Sequence, residues 1–441
     1  MSRPEEKDKT FHGLGIAPDF LKRLEELKFY HPTPIQLKSI PISIQGEDMI
    51  GIAQTGTGKT LAFSLPALQR VAATKKMCLV LAPTRELALQ VEETMHKLGS
   101  AFGLRSVAII GGVPVFRQVK ALRSKPHVIV ATPGRLIDLV GQKKIRLDKV
   151  GILILDEADR MLDMGFEPQI RQILATVPED RQTMLFSATM PEKITSIARK
   201  YMKKPLRVEV ARAGSTADQI DQEVFIVPKS EKGKLLLNLL GEYKGTVLVF
   251  SRTKHGAKKI ARAIRNVGHS STELHSNRTL AQRRKSLEGF KSGEFRVLVA
   301  TDIAARGIDV TNIELVINYD LPDNPDDYVH RIGRTGRAGS SGKAISFASP
   351  DQKRDLQTIE KLIRTRIPTI PVPEGIKEVA FSSSAAPKRR GRGGHARSGG
   401  GRSSGGRSSS GGQRGRSGAG GGRGGSSGGG RKHTPKRSKR S

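Results

Sequence analysis

Tryptophan is absent from this 441-residue chain, aromatic residues of all kinds make up 4% of it, and there is one cysteine, Cys78. A lone thiol builds no disulfide framework and no zinc site, so Cys78, inside the apolar run 77–82, is expected in a core and in a reducing compartment. No apolar run reaches the ~20 residues that a membrane helix needs, and the opening MSRPEEKDKT is too charged for a secretory signal. A cytoplasmic protein with no membrane partner is the expectation. Acidic residues are missing from all of 388–441, a stretch with 16 Lys and Arg, 20 Gly and no aromatic residue. Nothing there can bury a core, so residues 382–441 are expected to form a disordered basic tail rich in Gly, Arg and Ser. The formal charge is +34, of which the tail supplies 16 and the remaining 387 residues +18. A body that is basic without its tail points to polyanionic partners, above all nucleic acid.

Against these absences, one stretch stands out. Residues 49–61 read MIGIAQTGTGKTL, an apolar run that turns sharply through Ala53, Gln54, Thr55, Gly56, Thr57 and Gly58 into Lys59 and Thr60. This is the grammar of a phosphate-binding loop. Glycines let backbone N–H groups point at a polyphosphate, the lysine adds a point charge near the β/γ-phosphates, and the hydroxyl of Thr60 can ligand Mg²⁺. The strict pattern starts with Gly where this chain has Ala53.

Strand-like runs recur after the loop, at 77–82, 107–110, 128–131, 150–155 and 183–186, with helical segments between them. Such alternation predicts a parallel sheet covered on both faces, with ligands at the carboxyl ends of its strands. PTRELA (83–88), Gly111-Gly112, TPGR (132–135), DEAD (156–159) and SAT (187–189) fall at those ends. Residues 211–219 read as a linker, and a second series follows near 224–227, 246–250, 296–300, 315–318 and 344–347. The fold class expected is α/β: domain 1 over 1–210, linker 211–219 and domain 2 over 220–373. The second series has no phosphate loop, and two similar units with one loop suggest a cleft between them. Ahead of the loop, Phe20, Leu21, Leu24, Leu27 and Phe29 suit an amphipathic helix within 11–30. Pro32 and Pro34 predict an extended turn ending on Gln36, whose amide can pair with an adenine edge.

The run GILIL delivers Asp156 and Glu157 to a strand end, where one carboxylate can hold Mg²⁺ and the other can orient or deprotonate water. HRIGRTGR (330–337) puts four basic residues in eight positions, with Gly333 and Gly336 allowing close backbone approach to a phosphoryl group.

AQTGTGKT, PTRELA, TPGR, DEAD, SAT, ARGIDV and HRIGRTGR, in this order, resemble the DEAD-box ATP-dependent RNA helicases over roughly residues 11–373, and with RMLDMGF after DEAD the chain is most similar to the bacterial RhlE-type subgroup. The resemblance implies two RecA-like domains that close on ATP and single-stranded RNA. It implies that Tyr30 stacks on adenine, with Phe11 packed nearby and Gln36 on the base edge. Lys59 and Thr60 keep the roles given above, Asp156 holds Mg²⁺, and Glu157 activates water. Gly307 and Asp309 meet the nucleotide, Asp309 at its ribose, and Arg334 and Arg337 are arginine fingers. Asp159, Ser187, Thr189 and His330 couple the ATP site to domain movement. For RNA it points to Pro83, Thr84, Arg85, Gly112, Thr132 and Arg135 in the first domain and Ser251, Arg252 and Thr301 in the second. Mostly phosphate and sugar contacts would make binding nearly blind to sequence. The implied function is RNA-stimulated ATP hydrolysis that unwinds short duplexes or remodels RNA–protein complexes. The implied form is a monomer, with ribosome-assembly or RNA-decay complexes as candidate settings. An RNA chaperone acting through its basic tail and a processive DNA translocase are the alternatives.

Overall fold

A computed structural model describes residues 10–54, 56–210, 220–305, 313–336 and 342–377. Two parallel sheets organise them. The first holds β1 (Met49–Ile52), β2 (Met77–Leu81), β3 (Ser106–Ile109), β4 (Val128–Ala131), β5 (Val150–Leu155), β6 (Gln182–Ser187) and β7 (Leu206–Glu209), in the order β3-β4-β2-β5-β6-β1-β7. The second holds β8 (Ile220–Ile226), β9 (Val247–Phe250), β10 (Ser271–Leu274), β11 (Val297–Ala300), β12 (Leu315–Asn318) and β13 (Gly342–Ala348), in the order β10-β11-β9-β12-β13-β8.

Side-chain alternation explains why the strands are apolar throughout. Cys78, Val80, Ile152 and Ile154 enter the core on one face of the first sheet, while Leu79, Leu81, Leu153 and Leu155 enter the core on the other. Val247 and Val249 are likewise divided from Leu248 and Phe250 across the second sheet. Helices cover both faces, so each strand must be hydrophobic at consecutive positions. Cys78 is fully buried, and burial raises its thiol pKa, consistent with a core residue.

Three local expectations are corrected. The first helix spans only Pro18–Glu26, burying Phe20 and Leu24. Lys28 then turns to φ 62, which leaves Phe29 off the helix and 42% exposed. Pro34 opens the helix Pro34–Gln45, so Gln36 lies in its first turn and the extended segment stops at Thr33. Proline suits that first position because its missing N–H is not needed there and its φ is already helical. β7 and β10 are strands beyond those expected. The linker 211–219, the tail 382–441, Thr55, Gly307, Asp309 and Arg337 lie outside the described residues. Among the described residues no helix is long and apolar enough to cross a membrane.

Candidate functional site

β1 ends at Ile52, and the chain turns through Gly56 (φ 86) and Gly58 (φ 89) into the helix Lys59–Thr74. Both φ values are in the left-handed region that glycine tolerates. The Lys59 ammonium, nearly buried, donates to the Ala53 carbonyl across the loop at 2.7 Å, and Thr57 Oγ1 donates to Gln54 O at 2.7 Å. Gln36 fastens the loop from outside. Its Oε1 accepts from the Thr33 N–H (2.9 Å), and its Nε2 donates to Gly58 O (3.0 Å). Thr33 Oγ1 adds a bond to Thr57 O at 2.7 Å. A primary amide keeps one N–H and one lone pair beyond those two bonds, so Gln36 can brace the loop and still pair with a base. Tyr30 is 56% exposed, whereas Phe11 is buried in the core beneath.

The acids emerge from β5. Asp156 donates its N–H to Leu81 O (2.9 Å), and Glu157 follows at φ 51, ψ 52, a left-handed conformation that costs a non-glycine residue energy and redirects its side chain. Among the described residues, Asp156 Oδ1 and Glu157 Oε2 are buried without a hydrogen-bond partner. Asp159 is fully used: its Oδ2 accepts from Ala188 N (3.1 Å), Thr189 N (2.9 Å) and Thr189 Oγ1 (3.0 Å), and its N–H donates to Ser187 Oγ (3.3 Å). DEAD and SAT are thus one hydrogen-bonded unit across the ends of β5 and β6.

Burial, and then the Glu157 charge, raise the Asp156 carboxyl to about 7 against the opposing pull of Lys59. An acid whose pKa is raised on folding contributes stability that is complete below its unfolded value of 3.8 and is lost as pH climbs through about 7. Nucleotide-free protein is therefore expected to lose stability from this group between about pH 4 and about pH 7. Asp156→Asn should flatten that part of the profile. Urea melts across the window measure it, and identical slopes in parent and variant would reject the assignment.

The other half of the same sheet edge carries the second motif set. Pro83, Thr84 and Arg85 follow β2, Gly111-Gly112 follows β3, and Thr132 follows β4. Thr84 Oγ1 caps the helix Arg85–Gly99 by accepting from Leu87 N (3.2 Å). The Arg85 guanidinium lies against Gly111 and Gly112, so close that a Cβ on Gly111 would meet it at 3.1 Å, and Gly112 has φ +80. Arg135 Nη1 donates to Val113 O at 2.9 Å. In the second lobe, Ser251 and Arg252 follow β9 and Thr301 follows β11; Arg252 N donates to Asp320 Oδ2 at 3.0 Å and its guanidinium to Leu321 O at 3.2 Å.

Of the basic residues in HRIGRTGR, Arg331 is a strut. Its guanidinium clasps Asp302 at 2.6 and 2.7 Å, bonds Asn318 and Asp320 O, and lies 5.0 Å from the Phe250 ring centre. Arg334, also buried, donates to His330 O at 3.3 Å. Arg334, His330, Asp327 and Asp302 share a small cavity with Arg160 of the first lobe. Sequence reasoning missed Arg160. Its Nε is 3.6 Å from Glu157 Oε2, and its Nη1 and Nη2 are buried without hydrogen bonds among the described residues. It also missed the buried ion pair Arg283–Glu86 (2.8 Å), by which the glutamate of PTRELA joins the lobes, and Gln118, which bonds Ile110 N, Ile110 O and Val113 O. A polar residue on a helix signals none of these roles until its neighbours across the fold are known.

Comparison with known proteins fits this geometry. A DEAD/DEAH box helicase family model matches residues 33–197, and a helicase conserved C-terminal domain model matches 231–339. The chain is 44% identical over 373 residues, 84% of its length and 78% of the other's, to the ATP-dependent rRNA helicase RRP3 of Debaryomyces hansenii. It is 43% identical over 361 residues, 81% of this chain and 77% of the other, to the DEAD-box ATP-dependent RNA helicase CshA of Geobacillus kaustophilus. Among solved structures, Saccharomyces cerevisiae Dbp5 bound to RNA and ADP BeF3 superposes with a TM-score of 0.75 at 34% identity, covering 82% of this chain and 96% of that one.

Proposed function

Because the chain belongs to the DEAD-box ATP-dependent RNA helicases, we propose that it binds ATP at the β5-β6-β1 edge of the first lobe and RNA along the β3-β4-β2 edge. The enzyme is an RNA-stimulated ATPase and helicase. One observation carries the assignment of residues. Asp156 and Glu157, each with a buried oxygen that accepts no hydrogen bond among the described residues, stand at the end of β5, and Arg160, 3.6 Å from Glu157, lines a small cavity with Arg334 of the other lobe.

Gly56, Gly58 and the loop amides would cradle the phosphates, with Lys59 as their cation and Tyr30 against the adenine. Asp309 and Gly307 would complete the nucleotide contacts. Asp156 and the Thr60 hydroxyl fit Mg²⁺, since one buried Asp156 oxygen accepts no hydrogen bond from the described residues, and no described cluster of three or more His, Cys, Asp or Glu forms a metal cage of its own. Mg²⁺, when bound with ATP, neutralises charge on the β/γ-phosphate oxygens. Glu157 would take the proton of the attacking water. Arg334 and Arg337 would stabilise the transferring phosphoryl group. Asp159, through Ser187 and Thr189, would report the state of the acids to the lobe interface, where His330 stands. Pro83, Thr84, Arg85, Gly112, Thr132 and Arg135, with Ser251, Arg252 and Thr301, would hold RNA through phosphate and sugar. Phosphate release measured with and without RNA tests this reading, and equal rates would overturn it.

The setting is a further proposal. The printed name of the Debaryomyces relative supports ribosomal RNA as a substrate class; a monomer acting in the cytoplasm is the rest of this proposal. The tail 388–441, with its 16 positive charges, would tether RNA electrostatically and so raise its effective concentration at the core. Deleting it should raise the RNA concentration that half-saturates the ATPase and flatten the salt dependence, with maximal rate within about two-fold because every assigned group lies upstream. ATPase titrations with RNA at several salt concentrations decide it. Identical RNA dependence in both proteins would discard the tether.

A further inference from the structure

Among the described residues the most exposed large apolar side chain is Phe116, at 68%. It is the second residue of the helix Val115–Leu122, which begins three residues after Gly112. Gln118 anchors this helix inward through Ile110 and Val113, and Val115 and Leu122 pack on the core. Phe116, Arg117, Lys120 and Arg123 remain exposed, with the Arg117 guanidinium 5.8 Å from the Phe116 ring centre. From residue 105 to 137 the chain has six basic residues and no acidic one.

A single exposed phenylalanine is ordinary. This one is set in an acid-free basic segment, just past the Arg85–Gly112 contact, in a chain with few aromatics. Aromatic faces flanked by cations are how proteins hold single strands, with the ring taking a base and the cations taking phosphates. The RNA residues assigned within the cleft reach phosphate and sugar and leave bases unread. An acidic peptide would suit the charge, but it would not use the flat face of the ring.

We propose that Phe116 is a nucleobase-stacking platform for single-stranded RNA passing beyond Gly112, with Arg117 and Lys120 on the flanking phosphates. The proposal rests on the RNA-binding reading above. It adds an anchor outside the cleft, so a substrate with a single-stranded extension is held more tightly than one that ends inside it.

The absence of tryptophan makes a direct test available, because Phe116→Trp introduces the only indole in the protein. Its emission should be quenched by an oligonucleotide that extends past the cleft. Quenching should fail when the extending nucleotides are abasic and keep only their phosphates. Phe116→Ala should raise the half-saturating RNA concentration of the ATPase on the order of 10-fold. Val267→Ala, at an exposed apolar residue in the other lobe, should leave it unchanged. RNA-stimulated ATPase without quenching, together with unchanged half-saturation for Phe116→Ala, would overturn the platform and leave the RNA reading intact. Equal quenching by abasic RNA would also overturn it, since phosphates alone would then account for the signal. A parent enzyme that RNA does not stimulate would remove the RNA reading and the platform together.

Discussion

Glu157→Gln is expected to lower the rate of RNA-stimulated ATP hydrolysis on the order of 10³-fold, within the range that a positioned general base contributes. ATP and RNA should still bind. The side chain is buried, its backbone is held at φ 51, ψ 52, and its Oε2 has no hydrogen-bond donor among the described residues. That strained geometry persists only because the surrounding structure fixes it, which suits a group that must aim at one reacting atom. Glutamine matches the size of glutamate, so the loop, Lys59 and the Asp159 hydrogen bonds have no reason to move. What disappears is the capacity to accept a proton. Arg160, 3.6 Å away, also loses its carboxylate partner while buried, so a modest loss of stability should accompany the catalytic loss. The hydrolysis step fails with both lobes engaged, so the variant should accumulate as a closed complex of ATP and RNA. Single-turnover phosphate release, with RNA retention in the presence of ATP, measures both halves. Turnover at the parent rate would show that another group activates the water.

The same residues indicate why much of this site is legible in the amino-acid sequence. β1, β2, β4 and β5 are buried on both faces, so their sequences are unbroken apolar runs, and the polar motif after each run marks a strand end. The site is the set of those ends, and it can be assembled without knowing the strand order. The order β3-β4-β2-β5-β6-β1-β7 adds a division of labour: proposed RNA contacts on one half of the edge and nucleotide contacts on the other, joined at β5 by DEAD. That division comes from long-range pairing, which local sequence does not encode.

The misses share this cause. β10 reads STEL, too polar for a buried strand on composition, yet all four residues are buried. Ser271 bonds Ala261 O, Thr272 pairs with Ser286, and Glu273 meets Arg265 and Arg278. Apart from Arg278, in the turn after β10, each partner lies on a neighbouring helix, so the burial is satisfied only in the assembled fold. β7 is an edge strand with Val208 alone buried, so it lacks the apolar run that marks the others. Arg331 and Arg334 look equivalent in HRIGRTGR and both line the cavity with Arg160, but the structure clasps Arg331 to Asp302, Asn318 and Asp320, whereas Arg334 donates to the His330 carbonyl. Gln36 was expected at the end of a turn and lies in a helix, where its two bonds brace Thr33 and Gly58.

Lys59→Ala should remove nucleotide binding itself, which separates it from the Glu157 variant. Lys59 is 6% exposed, and its ammonium is held over the loop by the Ala53 carbonyl at 2.7 Å, where the β/γ-phosphates of a loop-bound nucleotide would lie. Truncating one member of a buried charge pair weakens binding on the order of 10²-fold or more, because the phosphates lose their cation and the loop carbonyl loses its donor. A second effect compounds the first. Lys59 is the main influence lowering the Asp156 carboxyl, which burial has already raised to about 7. Without the lysine that carboxyl should rise further and carry its proton at neutral pH, leaving it a poorer ligand for the cation that accompanies ATP. Affinity for the magnesium–nucleotide complex should therefore fall more than affinity for nucleotide in chelator, and hydrolysis should be lost at concentrations that saturate the parent. Equilibrium titration of parent, Lys59→Ala and Glu157→Gln with a fluorescent ATP analogue, with and without Mg²⁺, resolves the two contributions. Parent-like affinity in Lys59→Ala would make the lysine a structural brace on Ala53 and move the phosphate-binding role to the loop amides alone.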